Sequence, residues 1–166
     1  MIDKIAGTVD KWPDDCILVV HAVSSEQNSI LESIRLSKEY NHKIFIHNKV
    51  LPFNEIDEKI FSGADIGLAF YDNINSNFNS VAYSSGKLSH YLKSGLPVIT
   101  STQNDFRELT CKYDFGISTT VNNIGKALKL INEKYDDFSE NAIATYLEIY
   151  KYENYHNNLM ETIDEL

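Results

Sequence analysis

Short runs rich in β-branched residues alternate with helical patterns from residue 16 to residue 119, and this alternation constrains the fold more than any other feature. Several runs are continuously apolar, as in strands that are covered on both faces. Strand and helix in alternation build right-handed βαβ units, so the sequence predicts a parallel sheet between layers of helices. The predicted strands cover 16–23, 42–48, 65–71, 96–101 and 115–119.

Apolar residues are also three or four apart between Ile2 and Trp12, which predicts an N-terminal helix that ends at Pro13. A strand over 4–9 is the alternative, although Gly7 weakens it. Further along the chain, segments with helical spacing separate the predicted strands, and the pattern is helical from residue 124 onward. The predicted helices cover 25–40, 53–64, 84–95, 104–113 and the chain after residue 123.

Length and composition limit the class of protein. A chain of 166 residues is the size of one domain, and 43% apolar with 23% charged residues is typical of a globular fold. The net charge of −9 argues against a surface that recruits nucleic acid or anionic lipid through bulk electrostatics. Any phosphate that the protein binds must therefore be held by local groups.

The two cysteines, Cys16 and Cys111, are too few and too far apart in sequence to indicate a disulfide framework or a zinc site. Both lie in apolar sequence, so we expect buried free thiols in a reducing compartment. No apolar run approaches the ~18–20 residues of a membrane span, and the first residues lack the pattern of a signal peptide. The expected location is the cytoplasm, with peripheral contact to the inner face of a membrane as part of a longer enzyme.

Lys87 lies in the first turn of a predicted helix, where a positive charge is disfavoured. The segment 84–95 has two serines suited to an N-cap, and Lys87 follows in the first turn, where unpaired N–H groups carry partial positive charge. Gly86 would let a phosphate approach the backbone closely, so an anion site is one interpretation. A solvated helix start, with the aliphatic part of the lysine lying along the surface, is equally compatible with the pattern.

The residues around this helix start offer further candidates. The connection 72–85 is rich in Asn and Ser and is longer than a βα connection needs, which is typical of a ligand-covering loop. Tyr71 and Tyr83 flank it and could stack on a base or a sugar, or simply anchor the loop. His90 follows Lys87 by three residues on the same helix face and could bind a ribose hydroxyl, or be an ordinary surface histidine.

The segment 48–53 follows the second predicted strand and forms another candidate wall of a binding site, although Val50 and Phe53 could instead belong to the core. The sequence has no glycine-rich phosphate loop, no nucleophile elbow and no CxxC motif. No DxD pair of acids follows a strand, so a metal-dependent phosphate site has little support.

The chain resembles the C-terminal half of GT-B glycosyltransferases, closest to the retaining family with a group 1 type transferase domain. The resemblance spans roughly residues 15–166, and its most specific part is the pattern KLxxYLxxGLPVI. The matching segments are 64–71, 85–88, 91–92, 95–101, 107–108 and 115–116. It implies a single Rossmann-like, three-layer donor-binding domain over 1–166.

The resemblance also implies a function and a set of site residues. The substrate would be a UDP- or GDP-sugar, and the sugar would pass to a polysaccharide or a lipid-linked acceptor, as in a hexosyltransferase, without a metal or another cofactor. The donor diphosphate would bind at Ser84, Ser85, Gly86, Lys87 and Leu88, and the ribose at His90. The base would lie against Asn48, Val50 and Leu51, and the donor sugar near Tyr71, Asp72, Asn73 and Tyr83.

Two features depart from the family pattern. His90 stands where the family has a ribose-binding glutamate, and Ala82 stands where related enzymes have an acid. The domain's first strand and the N-terminal acceptor domain also have no counterpart, so we expect this chain alone to be inactive, with a free sheet edge that favours a homodimer. The alternative function is a non-catalytic nucleotide-sugar-binding or interaction module derived from such an enzyme.

Overall fold

A computed structural model describes residues 1–21, 29, 32, 41–52, 55–56, 59–72, 81–156 and 160. Within these residues the chain forms short strands that each lie inside one of the predicted runs, so the predicted strands are confirmed in number and order. The strands are β1 (Leu18–His21), β2 (Ile44–His47), β3 (Gly67–Ala69), β4 (Val98–Thr100) and β5 (Gly116–Ser118).

The helices of the described residues follow the predicted order, except that Val81–Ser84, in the predicted loop 72–85, forms an additional short helix. They are α1 (Ile2–Ala6), α2 (Val81–Ser84), α3 (Gly86–Lys93), α4 (Asn104–Tyr113), α5 (Ile124–Glu133) and α6 (Tyr135–Thr145), which continues as a π-helical turn over Tyr146–Tyr150. Of the predicted helix 25–40 only Ser29 and Glu32 are described, and both are helical. Among the described residues, no helix has the length and apolar character needed to cross a membrane.

All described strand pairs are parallel, but they belong to two sheets. β1 pairs with β2, and β4 lies between β3 and β5. The result is an α/β arrangement of two small parallel sheets flanked by helices, compatible with a Rossmann-like fold. The predicted class and strand direction are therefore confirmed, whereas the described strands do not form one continuous sheet.

One hydrophobic core joins the two sheets. Leu18 and Ile44 enter it from β1 and β2, and Ile99 enters it from β4. The helix α5 closes this core with its buried face, and the N-terminal segment adds Ile5, Ala6, Val9 and Trp12. Since burial of apolar area is the main favourable term in folding, this shared core holds the two sheets together.

The N-terminal helix is confirmed, although it is shorter than predicted. α1 ends at Ala6, and a 3-10 turn over Val9–Lys11 carries the chain to Trp12. The buried ammonium group of Lys43 donates to the carbonyl oxygens of Trp12 and Pro13, each at 3.1 Å. These bonds satisfy a charge that would otherwise be costly to bury, and they attach the N-terminal segment to the start of β2.

A second apolar cluster positions α3 against β3 and the C-terminal helices. Tyr91 of α3 packs on Gly67 so closely that a Cβ there would lie 2.5 Å from the ring. Burial raises the pKa of Tyr91 to about 12, which keeps this ring neutral. At the other end of α3, the hydroxyl of Ser139 in α6 donates to the carbonyl oxygen of Gly95 at 2.7 Å.

The prediction that both thiols are buried is wrong for Cys111 and only partly met by Cys16. Both cysteines are free, but Cys111 is exposed because it lies on the outer face of α4, while Cys16 is partly buried. Burial raises the pKa of Cys16, so its thiol is a weak nucleophile at neutral pH.

Gly67→Ala tests how tightly α3 packs on β3. We expect a loss of about 1–3 kcal/mol in the free energy of unfolding, the usual cost of overpacking, because the new methyl group would displace Tyr91. Denaturant titration of both proteins measures it. Gly63→Ala is the matched control, since a Cβ at Gly63 meets no atom within 4 Å. Equal stability of the two variants would contradict this account of the packing.

Candidate functional site

The candidate site lies where α3 begins, beside the carboxyl ends of β3 and β4. Ser85 is the N-cap of this eight-residue helix, and its Oγ accepts a hydrogen bond from the backbone N–H of Leu88 at 3.1 Å. The prediction of a serine cap is thus confirmed for Ser85, which is only 5% exposed. Ser84 instead ends α2, and its hydroxyl is directed back to the carbonyl of Val81.

Tyr71 connects this cap to the end of the sheet. Its hydroxyl lies 2.6 Å from Oγ of Ser85. Its backbone N–H donates to Oγ of Ser101, which follows β4, and its carbonyl oxygen accepts from Nε2 of Gln103, the cap of α4. Its ring stacks on Phe106 with centroids 5.5 Å apart. Of the two interpretations of Tyr71, anchoring the chain after β3 is therefore the one the contacts support.

Lys87 places its ammonium group against this anchor. Nζ lies 5.2 Å from the centroid of the Tyr71 ring, a cation–π distance. Although the side chain as a whole is exposed, desolvation by the surrounding protein lowers the pKa of Lys87. Within the described part of the chain, no carboxylate lies within 4.0 Å of this Nζ. A cation that lacks a described carboxylate partner thus lies in the first turn of α3.

The backbone at this helix start is accessible. Gly86 is exposed, and a Cβ built on it would meet no atom within 4 Å. Among the described residues, the N–H groups of Gly86 and Lys87 have no backbone acceptor. Two N–H donors, the partial positive charge of the helix terminus and an ammonium group therefore converge on open space, which is the arrangement that binds an anion.

A cleft of about 240 Å³ continues from Tyr71 along the carboxyl ends of β3, β4 and β5. Six of its nine described lining residues carry a hydroxyl or amide group, although most of the wall surface is apolar. Its lining includes Phe70, Tyr71, Ser101, Thr102, Gln103, Thr119 and Thr120. The Oε1 atom of Gln103 is buried and has no hydrogen-bond partner among the described residues.

Sequence reasoning missed the residue that fixes the approach to α3. Asp105 is only 4% exposed. Its carboxylate accepts hydrogen bonds from the backbone N–H of Ala82 at 2.7 Å and from the backbone N–H of Phe106, the next residue, at 2.9 Å. From the other side, the hydroxyl of Tyr150 donates to the carbonyl oxygen of Ala82 at 2.7 Å. Ala82 is fully buried between these partners. The only sequence signal was an acid in the first turn of a predicted helix, which suggests a local cap.

Asp72 turns toward the N-terminal helix. Its carboxylate lies 3.2 Å from Nζ of Lys4 and 3.3 Å from the amino group of Met1. The hydrogen bond from Lys4 is the main reason why the pKa of Asp72 is lowered. The contact between α1 and the end of β3 was not predicted, because no sequence pattern indicates where α1 packs.

The other predicted site residues make no described contact with the Tyr71–Ser85–Lys87 group. The His90 ring packs on Phe61, with centroids 5.7 Å apart. Tyr83 is exposed on α2. Asn48, Val50 and Leu51 follow β2, at the carboxyl end of the other sheet.

The alternative of Val50 as a core residue is wrong, since it is 76% exposed. Asn73 and Phe53 lie outside the described residues. The described residues contain no group of three or more His, Cys, Asp or Glu side chains placed to hold a metal ion.

No protein-family model matches the sequence, and no curated protein is significantly similar to it.

Ser85→Ala tests the cap of α3. We expect a loss of about 0.5–2 kcal/mol in the free energy of unfolding, because the N–H of Leu88 and the hydroxyl of Tyr71 both lose their partner. Denaturant titration gives the value. Ser89→Ala, in the interior of the same helix, should change stability little, since alanine is the better helix former there. A loss of the same size in both variants would argue against the cap.

Proposed function

We propose that this chain is the donor-binding domain of a glycosyltransferase. It binds a UDP- or GDP-sugar, and the sugar passes to a polysaccharide or lipid-linked acceptor. The observation that carries the proposal is the start of α3, where the ammonium group of Lys87 lies over Tyr71 beside open backbone N–H groups. In this proposal the two sheets belong to a three-layer, Rossmann-like half of a GT-B fold.

A diphosphate supplies what this helix start lacks. Its oxygens accept hydrogen bonds from N–H groups, and its negative charge is attracted to both the helix terminus and the ammonium group. The lowered pKa of Lys87 means that its charged form is under-solvated, so an anion beside it recovers free energy that the protein alone does not. Because the net charge of the chain is −9, only such a local cluster attracts a phosphate.

The same groups would assist the chemistry of transfer. As the bond between the sugar and the diphosphate breaks, negative charge grows on the leaving phosphate, and fixed N–H donors with a lysine stabilise that charge. This role requires no metal ion at the phosphate. In the proposed pose the base lies toward Asn48, Val50 and Leu51, and the sugar lies near Tyr71 and Asp72.

A non-catalytic binding module is the second candidate, and two side chains favour it. Residue 90 is a histidine packed on Phe61, and residue 82 is a fully buried alanine, so neither position offers a carboxylate. Asp72, the nearest described acid after β3, is engaged by Lys4.

Addition of an acceptor domain of the GT-B type separates the two candidate functions. Sugar transfer supports the enzyme, and binding without transfer supports the module.

Lys87→Ala tests the donor site. We expect it to weaken binding of UDP- or GDP-sugars by about 10- to 150-fold, since a hydrogen bond to a charged group is worth about 1.5–3 kcal/mol. Calorimetric titration measures the affinity, and circular dichroism checks the fold.

Lys93→Ala is the matched control, because Lys93 ends the same helix and lies far from its first turn. It should leave the affinity unchanged. If the folded protein binds neither nucleotide sugar, or if both lysine variants bind as wild type does, the donor site is not at the start of α3.

A further inference from the structure

The last residues of β1 and β2 are both histidines. His21 and His47 are register partners in the parallel pair, so their side chains leave the sheet on the same face and at the same level. Their Nδ1 atoms are 2.9 Å apart, and the ring centroids are 5.1 Å apart with a tilt of 30°. Both side chains are partly buried. Two imidazole nitrogens thus converge at one point of the sheet edge.

The pair has two tautomeric arrangements with different chemistry. In the neutral pair, one Nδ1 carries a proton and donates it to the lone pair of the other. If each ring instead carries its proton on Nε2, both Nδ1 lone pairs become free to bind one ion. The change moves a proton within a ring and requires no net loss of protons. The two Nδ1 atoms are therefore at chelating distance, and metal binding requires the rings to turn so that each lone pair points at the ion instead of at the other nitrogen.

We propose that His21 and His47 bind a divalent transition-metal ion that prefers square-planar or octahedral coordination, such as Ni²⁺ or Cu²⁺. Two nitrogens at about 2.0–2.1 Å from an ion and about 2.9 Å from each other subtend roughly 90°, the angle of neighbouring positions in these geometries. Tetrahedral coordination, as zinc prefers, would need them to be about 3.3 Å apart. No third His, Cys, Asp or Glu of the described residues joins them, so water completes the coordination.

The position of the pair supports a binding role. Parallel sheets of this kind accept ligands at the carboxyl ends of their strands, which is where β1 and β2 end. The ladder between the strands already holds both backbones in place, so binding requires ordering of the rings alone. The net charge of −9 raises the local concentration of cations. The pair lies on the other sheet from the start of α3, next to Asn48, which the proposed donor pose places at the base, and the metal proposal does not depend on the proposed sugar donor.

Titration of the full chain with Ni²⁺ tests the proposal. We expect one ion per chain, with His21→Ala and His47→Ala each weakening binding by about 100-fold because chelation by two linked ligands is lost. His156→Ala is the control and should bind as wild type does, since this exposed histidine contacts Tyr152 instead. Affinity should fall at acidic pH, because protons compete for the same lone pairs.

Electron paramagnetic resonance of the Cu²⁺ complex is a second test, and it needs no variant protein. Hyperfine coupling to two nitrogens is expected in the wild-type protein. Coupling to one nitrogen or none, equal Ni²⁺ affinity in wild type and in both histidine variants, or tighter binding of Zn²⁺ than of Ni²⁺ would each overturn the proposal.

Discussion

The buried carboxylate of Asp105 is the constraint on which the candidate site depends. A buried carboxylate is tolerated only when its oxygens accept hydrogen bonds, and here they take the N–H groups of Ala82 and Phe106. The same carboxylate therefore fixes the first turn of α4 and the chain that enters α3. Tyr71 then locks Ser85 from the side of β3. The helix start is thus held from α4 and from the end of β3, and fixed donors are what an anion site requires.

The core shows how two small sheets are held together. The side chains of β1 and β2 meet those of β4 in the same cluster, and α5 covers both groups. Apolar contact, which needs no hydrogen-bond ladder, joins the sheets. Each sheet keeps its own carboxyl edge, and the two edges carry different chemistry: an ammonium group and N–H donors at one, and a pair of imidazoles at the other.

Local patterns in the sequence predicted the strands, the order of helices and the cap at Ser85, because each depends on residues within a few positions of one another. The partners of Asp105 and Tyr150 could not be predicted, since Ala82 lies 23 and 68 residues away from them and no pattern encodes such a pairing. The same limit applies to Lys43, whose apolar neighbours gave no hint of the carbonyl groups that it binds. Burial of Cys111 and the core alternative for Val50 were wrong because apolar neighbours in sequence do not fix which face of an element meets solvent.

The bonds from Ser139 to Gly95 and from Tyr150 to Ala82 give the last third of the chain a role in the order of folding. Contacts between residues so distant in sequence carry a large loop-closure entropy and form late. Both flanks of α3 therefore gain a further hydrogen bond only when α6 and the π-helical turn have docked, in addition to the bonds from Tyr71 and Asp105. During synthesis, a ribosome-bound chain that ends before residue 139 would carry the complete sequence of the helix start but neither of these two C-terminal bonds.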